Sequence, residues 1–308
     1  VLVVIGNPTR TSGEFHASHN KRGTKELYYR RHVKPTESRF VDPKWMTSMG
    51  RKYGLESPVY KVRVLGEFAE MEENQLIALE WLEQAREKEF VDDGSLSRLR
   101  LTVDVMDGGE DESIVTVTRL YDSFTLFVKL FRFSFPAAKS PIETAKAAYR
   151  IAEEYGIDWD NGDDIVVDSI GVGSGTAGWL LDNGCNVVVY KGGSKSDDTQ
   201  KWRCRRVQSY LVLRDAFRDE TILYADDFVD DNDWDDYAAQ ICSVKNKPGI
   251  ERVEDLETKE EMKRRGLKSP DMADGSAMVY ATQTPTLGKG ESFEPILMGT
   301  MESANYDG

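Results

Sequence analysis

The sequence predicts an α/β fold, a mixed sheet flanked by helices. Three short apolar runs follow one another between Leu99 and Phe133, the pattern of successive strands. The stretch "DIVVD" at 164–168 holds a continuous apolar run, as in a strand covered on both faces. Segments of helical period, punctuated by Ser-Pro and Gly, stand before and after that strand.

The chain opens on "VLVVI", a short apolar strand that begins without Met in mid-run, as expected of a fragment whose N-terminal part is missing. "GNPTRTSGEF" follows as a turn-rich loop. A helix is expected from about Asp42 to Tyr53. "YKVRVLGEF" at 60–68 alternates like a strand and stops at Gly66. Leu76, Leu79, Leu82 and Ala85 lie near helical spacing, which predicts a highly charged helix over 74–89 suited to linking two domains. "VDDGSLS" breaks it. The expected organisation is therefore 1–65 as the end of one domain, 66–94 as a linker helix, 95–284 as a second domain, and 285–308 as a loose tail.

Within the second domain "LRLTVDV", "SIVTVTRLY" and "SFTLFVKLFRF" are three strands, the last two joined as a hairpin by "YDS". "SPIETAKAAYRIAEEYG" is a helix with Ser140 as N-cap, Pro141 at its first position and Gly156 past its end. Strand "DIVVDSI" leads through a glycine-rich loop to a helix over 176–183, then to strand "NVVVY" at 186–190. A long helix over about 199–217, a short strand "TILY" and an acid-rich patch of seven aspartates between 226 and 236 come next. The patch reads as a solvated helix start rather than a cation site. Residues 237–257 read as an extended pair closing on "NKPG", and "TKEEMKRRG" and "SPDMADGSAMVYA" as two final helices. Three consecutive antiparallel strands joined by helices to parallel ones is the order of a ribonuclease-H-like mixed sheet.

Composition narrows the function. A net charge of −14 over 308 residues argues against a nucleic-acid coat protein, but not against an enzyme with a local basic surface. No run of 18 apolar residues suggests a membrane span, and no signal peptide is seen. Cys185, Cys204 and Cys242 lie far apart without a C-x-x-C pair, which suits buried thiols in a reducing compartment. His16 and His19 form H-x-x-H, but beyond His32 no other His, and no nearby Cys, is present to complete a zinc site.

The informative residues are acids. Asp104 falls inside the first strand of the second domain, where an ionised carboxylate is costly unless paired or metal-bound. Asp168 closes "DIVVD", at the strand end where open α/β sheets place their chemistry. Asp274 shares a helix face with Ala277, Met278 and Ala281, while Ser269 and Pro270 would start that helix and Asp271 would sit at its positive end. Three semi-buried acids that converge would repel one another and raise their pKa values. Hard divalent cations, Mg²⁺ or Mn²⁺, remove that conflict, and a pair of them suits phosphodiester hydrolysis.

These residues resemble the C-terminal portion of the large terminase subunit of tailed phages, the DNA-packaging motor. "VIGNPTRTSGEF" (4–15) and "SPVYKVRVLGEFAE" (57–70) are similar to the end of its ATPase domain. "LTVDVMDGGEDES" (101–113), "IVVDSIGVGSG" (165–175) and "KSPDMADGSAMVY" (268–280) are similar to the three acidic motifs of its nuclease domain. The resemblance implies a partial P-loop-type ATPase remnant over 1–65, followed by a nuclease that cuts concatemeric double-stranded DNA and leaves a 3′-hydroxyl and a 5′-phosphate. It implies Asp104, Asp168 and Asp274 as a catalytic triad holding two Mg²⁺ or Mn²⁺ ions, Asp271 and Asp111 as auxiliary ligands, and the small terminase subunit and portal protein as partners in the host cell cytoplasm. Gly275 stands where the family usually has Ala. No G-x-x-x-x-G-K-[ST] is present, so ATP turnover is not expected of this chain alone. Lys191, Lys195, Lys201, Arg203, Arg205 and Arg206 form the densest basic cluster and, with Lys268, are the candidate DNA contacts; the cluster equally suits a solvated face balancing Asp197 and Asp198.

Three rivals differ in what they would bind or cut. "GVGSGTAG" has glycines at 171, 173, 175 and 178, off the spacing of a dinucleotide site. A ribonuclease-H-like resolvase or transposase would share the acids and prefer other DNA. A non-cutting portal-docking module would keep the fold without the activity.

Overall fold

A computed structural model describes residues 3–71, 74–92, 94–105, 112–136, 139–247 and 253–281. Asp111 and the expected tail, 285–308, lie outside the described residues.

A six-stranded sheet organises the molecule. Its strands are β1 (Arg98–Asp104), β2 (Ser113–Leu120), β3 (Thr125–Phe133), β4 (Asp164–Asp168), β5 (Val187–Tyr190) and β6 (Ile222–Tyr224). They lie in the order β5-β4-β1-β2-β3-β6. β1, β2 and β3 are antiparallel neighbours, while β4 joins β1, β5 joins β4 and β6 joins β3 in parallel. This is the ribonuclease-H-like arrangement expected from the strand order.

Period-2 alternation divides β1 between two cores. Leu99, Leu101 and Val103 face the apolar cluster with Ala145, Ala148 and Ile151 of α5 (Ser140–Glu154) and Ala177 and Leu180 of α6 (Gly173–Asp182). Arg100, Thr102 and Asp104 face the other way, toward α10 (Asp271–Met278). On that side α10 packs with α7 (Arg205–Arg218) and α8 (Asp231–Ser243) in a second cluster. The same cluster takes in Tyr53, Val59, Val62, Val64, Leu76 and Leu82 from the front of the chain.

The front segment contains α1 (Gly13–Asn20), α2 (Pro43–Tyr53), α3 (Pro58–Tyr60) and α4 (Leu79–Glu87). Asp42 caps α2, its carboxylate accepting from the Lys44 N–H at 2.8 Å. Residues 3–5 form no strand, and Val3, Val4 and Ile5 are exposed. Residues 61–65, expected in a strand, form a π-helical turn that continues α3 and ends at Gly66 in the left-handed region. Ser57 caps α3 and Pro58 begins it, so helix signals on both sides outweigh a five-residue alternation. The helix expected over 74–89 is shorter because Leu76 donates to Val244 O and Asn74 accepts from Asn246 N–H. The helix expected from 199 starts at Arg205, because Lys201 and Arg203 exchange backbone hydrogen bonds with Glu254. Residues 237–243, expected to be extended, finish α8; among the described residues beyond it β7 (Asn246–Lys247) pairs with β8 (Asp255–Leu256). The helix expected over 176–183 begins three residues earlier, at Gly173.

The aspartate patch opens α8 as expected, with Asp226, Asp227 and Asp230 exposed, and several of its acids also meet cations. Asp233 and Asp236 meet Arg132, Asp235 meets Arg63, Asp227 meets Lys129, and Lys52 lies 3.8 Å from Asp236. Arg63 also binds Glu83 at 2.9 Å. Among the described residues no helix is long and apolar enough to cross a membrane.

Candidate active site

Asp104 and Asp168 each end a strand. Val103 pairs with Val167 across the parallel β1–β4 ladder, so the next residues, both aspartates, finish neighbouring strands at the carboxyl edge of the sheet. The third acid arrives from above. A Cβ on Gly275 would touch Ile114 Cγ2 and Thr116 Oγ1 at 3.4 Å, so the backbone of α10 already lies on β2 beside Asp104.

Asp274 is gripped by three donors. The Tyr210 hydroxyl donates to Oδ1 at 2.6 Å, Arg206 Nε donates to the same oxygen at 3.3 Å, and Lys259 Nζ lies 2.7 Å from Oδ2. Lys259 is the first residue of α9 (Lys259–Arg264). Arg206 also stacks over the Tyr210 ring at 4.8 Å and donates to Glu257 O at 3.1 Å.

Electrostatics link the acids. Burial pushes Asp104 well above the usual carboxylate range, and the charges of Asp274, Asp271 and Asp168 push it further, against the pull of Lys259. Burial also raises Asp168, helped by Asp274 and opposed by the Ile170 N–H at 3.2 Å and by Lys259. Asp274 is the exception: burial works against its charge, yet Lys259, Arg206 and Tyr210 hold it below the ordinary value. Lys259 in turn is driven up by Asp274 and, less strongly, Asp104. The site is an excess of carboxylates around one ammonium.

Oxygen donors, two of them raised chiefly by burial and further by neighbouring carboxylates, suit a hard divalent cation. Among the described residues, however, no three His, Cys, Asp or Glu side chains stand as a ready-made metal cluster. The positive charge beside Asp274 is supplied by Lys259 and Arg206.

No family model and no curated protein matches the sequence. Solved structures do. The nuclease domain of the large terminase subunit gp2 of bacterial virus Sf6 aligns with 66% of this chain and 96% of its own, at 20% identity and a TM-score of 0.51. Its K428A mutant with manganese and beta-thujaplicinol covers 66% and 96%, at 20% identity and TM-score 0.53. The K428A mutant with calcium covers 66% and 97%, also at 20% identity and 0.53.

The chain has the fold of a large-terminase nuclease domain.

On this terminase-nuclease fold the other expected site residues divide. Asp271 lies in the first turn of α10, and its charge is felt by Asp104 and Lys259. Lys191, Lys195, Lys201 and Lys268 are exposed, and Arg203 is exposed with Asp255 at 3.6 Å. Arg205 and Arg206 turn inward instead: Arg205 pairs with Asp197 at 2.9 Å, and Arg206 serves Asp274. His16 and His19 pack their rings against Phe68, with His19 Nδ1 3.0 Å from Phe15 O.

The glycine loop is explained by geometry. A Cβ at Gly173 would lie 1.8 Å from the Asp168 carbonyl oxygen, so only glycine lets α6 start against the end of β4. Gly171 has φ +63°, the left-handed turn that precedes it.

The sequence does not single out Lys259 or Tyr210, and it groups Arg206 with the basic residues of a candidate DNA face. Lys259 did leave a signal. "TKEE" at 258–261 is a capping box, formed as such, and it fixes a lysine at the positive end of a helix, where a cation is disfavoured. A local rule broken in this way marks a residue placed for something outside its own helix.

Proposed function

We propose that this protein is the nuclease part of a large terminase, a Mg²⁺- or Mn²⁺-dependent endonuclease that cuts concatemeric double-stranded DNA during phage genome packaging in the host cytoplasm. The observation that carries the reading is that Asp104 and Asp168 end adjacent parallel strands, with burial raising Asp104 and the charges of Asp274, Asp271 and Asp168 adding to the rise. The likeness to the Sf6 nuclease domain, one form of which was solved with manganese, supports it.

Asp104, Asp168 and Asp274 would hold the ions, with Asp271 and Asp111 as auxiliary acids. Bound there, the metal supplies a Lewis acid and an activated water for hydrolysis of the phosphodiester. Lys259 balances the carboxylates in the metal-free protein, while Tyr210 and Arg206 fix the orientation of Asp274. Lys191, Lys195, Lys201, Arg203 and Lys268 would grip phosphates, which implies weak sequence preference and strong salt dependence. Residues 1–65 would be the end of the ATPase domain, and the small terminase subunit and portal protein the partners.

Supercoiled plasmid incubated with the protein and Mn²⁺ should be nicked and linearised. EDTA or Asp104→Asn should abolish this. A protein that leaves linear and supercoiled duplex intact but cuts four-way junctions would be a resolvase. One that cuts nothing, folded and with Mn²⁺ present, would be a docking module.

A further inference from the structure

Asp104 occupies one face of β1 in company with Thr102 and Arg100, and each of these touches α10 or the residues just after it. Thr102 Oγ1 donates to Gly275 O at 2.8 Å, the carbonyl next to Asp274. Arg100 Nη1 donates to Val279 O at 2.8 Å and to Ala281 O at 2.9 Å. The rest of the Arg100 guanidinium forms a fork on Asp164, Nε to Oδ1 at 2.7 Å and Nη2 to Oδ2 at 2.5 Å. Arg100 pairs in register with Asp164, the first residue of β4. Thr102 and Asp164 are fully buried and Arg100 is 5% exposed, in a strand whose other face is wholly apolar.

The carbonyls are available because the end of α10 tightens. Val279, Tyr280 and Ala281 donate to Ser276, Ala277 and Met278, three residues back. With the Val279 N–H turned to Ser276, the Gly275 carbonyl meets Thr102. The guanidinium lies at the negative end of the helix, where a cation is favoured.

Apolar packing alone does not fix where a helix sits along its axis. Met272, Ala273 and Ala277 bury surface without directionality. A slip of one residue moves a helix by about 1.5 Å and turns it by roughly a quarter of a circle. That would carry Asp274 away from Asp104. Directional contacts at Gly275 and at 279–281 oppose the slip from the sheet side, while Gln240 on the Met272 N–H, Tyr237 on Ser276 and Tyr210 on Asp274 oppose it from α8 and α7.

We propose that this polar seam sets the register of α10, and that Thr102 and Arg100 are positioning residues that hold Asp274 opposite Asp104. The inference rests on the nuclease reading, and deepens it by naming the residues that assemble the site.

The test uses the full chain and reads Mn²⁺ binding by calorimetry beside plasmid nicking. Thr102→Val removes the hydroxyl and keeps the shape; Thr102→Ser restores it. Thr102→Val should weaken Mn²⁺ binding by roughly two- to tenfold, the span of one ordinary hydrogen bond. It should lower kcat with KM for DNA unchanged, while Thr102→Ser stays near wild type in both. Arg100→Lys keeps the charge and loses the fork, and should weaken Mn²⁺ binding likewise, so the proposal can be judged even if Thr102→Val fails to fold. A Thr102→Val protein that binds Mn²⁺ and cuts as wild type overturns the seam. So does a Thr102→Ser protein as impaired as Thr102→Val. Wild type that binds no Mn²⁺ overturns the nuclease reading and the seam together. Wild type that binds Mn²⁺ and loses it on Asp104→Asn, but not on Thr102→Val or Arg100→Lys, overturns the seam alone.

Discussion

Lys259→Ala removes the cation beside the acids. Its Nζ lies 2.7 Å from Asp274 Oδ2, with the two side chains 39% and 12% exposed. A hydrogen bond to a charged group is worth about 1.5–3 kcal/mol when shielded, and an exposed ion pair about 0–1 kcal/mol. This half-shielded pair falls between, at about 1–2 kcal/mol for the metal-free protein. At about 2–4 °C per kcal/mol for domains of this size, the melting temperature should drop by about 2–8 °C. Mn²⁺ should then raise the melting temperature of the variant more than that of wild type, because the ion takes over the charge that Lys259 supplied. Thermal melts with EDTA and with millimolar Mn²⁺ read both effects without any cleavage, and Lys263→Ala, exposed on the same helix, is the control. An unchanged metal-free melting point together with equal Mn²⁺ increments would refute the role given to Lys259.

Two further outcomes follow from the same geometry. Asp104 has its folded pKa raised, so the stability it contributes is present in full below its unfolded value of about 3.9 and is lost as pH rises through the folded value. Asp104→Asn should therefore gain stability over wild type in EDTA as pH rises from 4 to 8; a pH-independent difference in denaturant midpoint would show that Asp104 is not strained. Replacing Lys191, Lys195 and Lys201 together by Ala should flatten the dependence of log affinity for duplex DNA on log salt by about 2–3 units, since each phosphate contact contributes roughly 0.9. An unchanged slope would remove them from the DNA surface.

What could be read from the sequence was whatever the chain settles locally. β1, β2, β3 and β4 announced themselves because their apolar runs match one period and end at clear breaks. Asp104, Asp168 and Asp274 were picked out as costly acids in apolar settings, which requires no knowledge of neighbours. Most of the departures share one cause. Residues 74–78 and 201–203 left their expected helices because Val244, Asn246 and Glu254 claim their backbone groups, and such partners are invisible along the chain. Arg206 looks from its sequence neighbours like one more surface cation. Only the approach of α10 to α7 shows that it belongs to Asp274. Residues 60–65 differ for the opposite reason: Ser57, Pro58 and Gly66 carry a local helix signal that outweighs the Val62–Val64 alternation.

The bonds from Lys52 and Arg63 to the acids of α8, with Met46 and Met49 seated on the same apolar cluster, bear on how this body could swing against anything that precedes it. A pivot at Gly66 would have to tear Val59, Val62 and Val64 out of that cluster with every stroke. The natural place for such a joint is upstream of Pro43, where residues 20–42 are mostly exposed, so α2 and the turn after it would travel as cargo with the sheet.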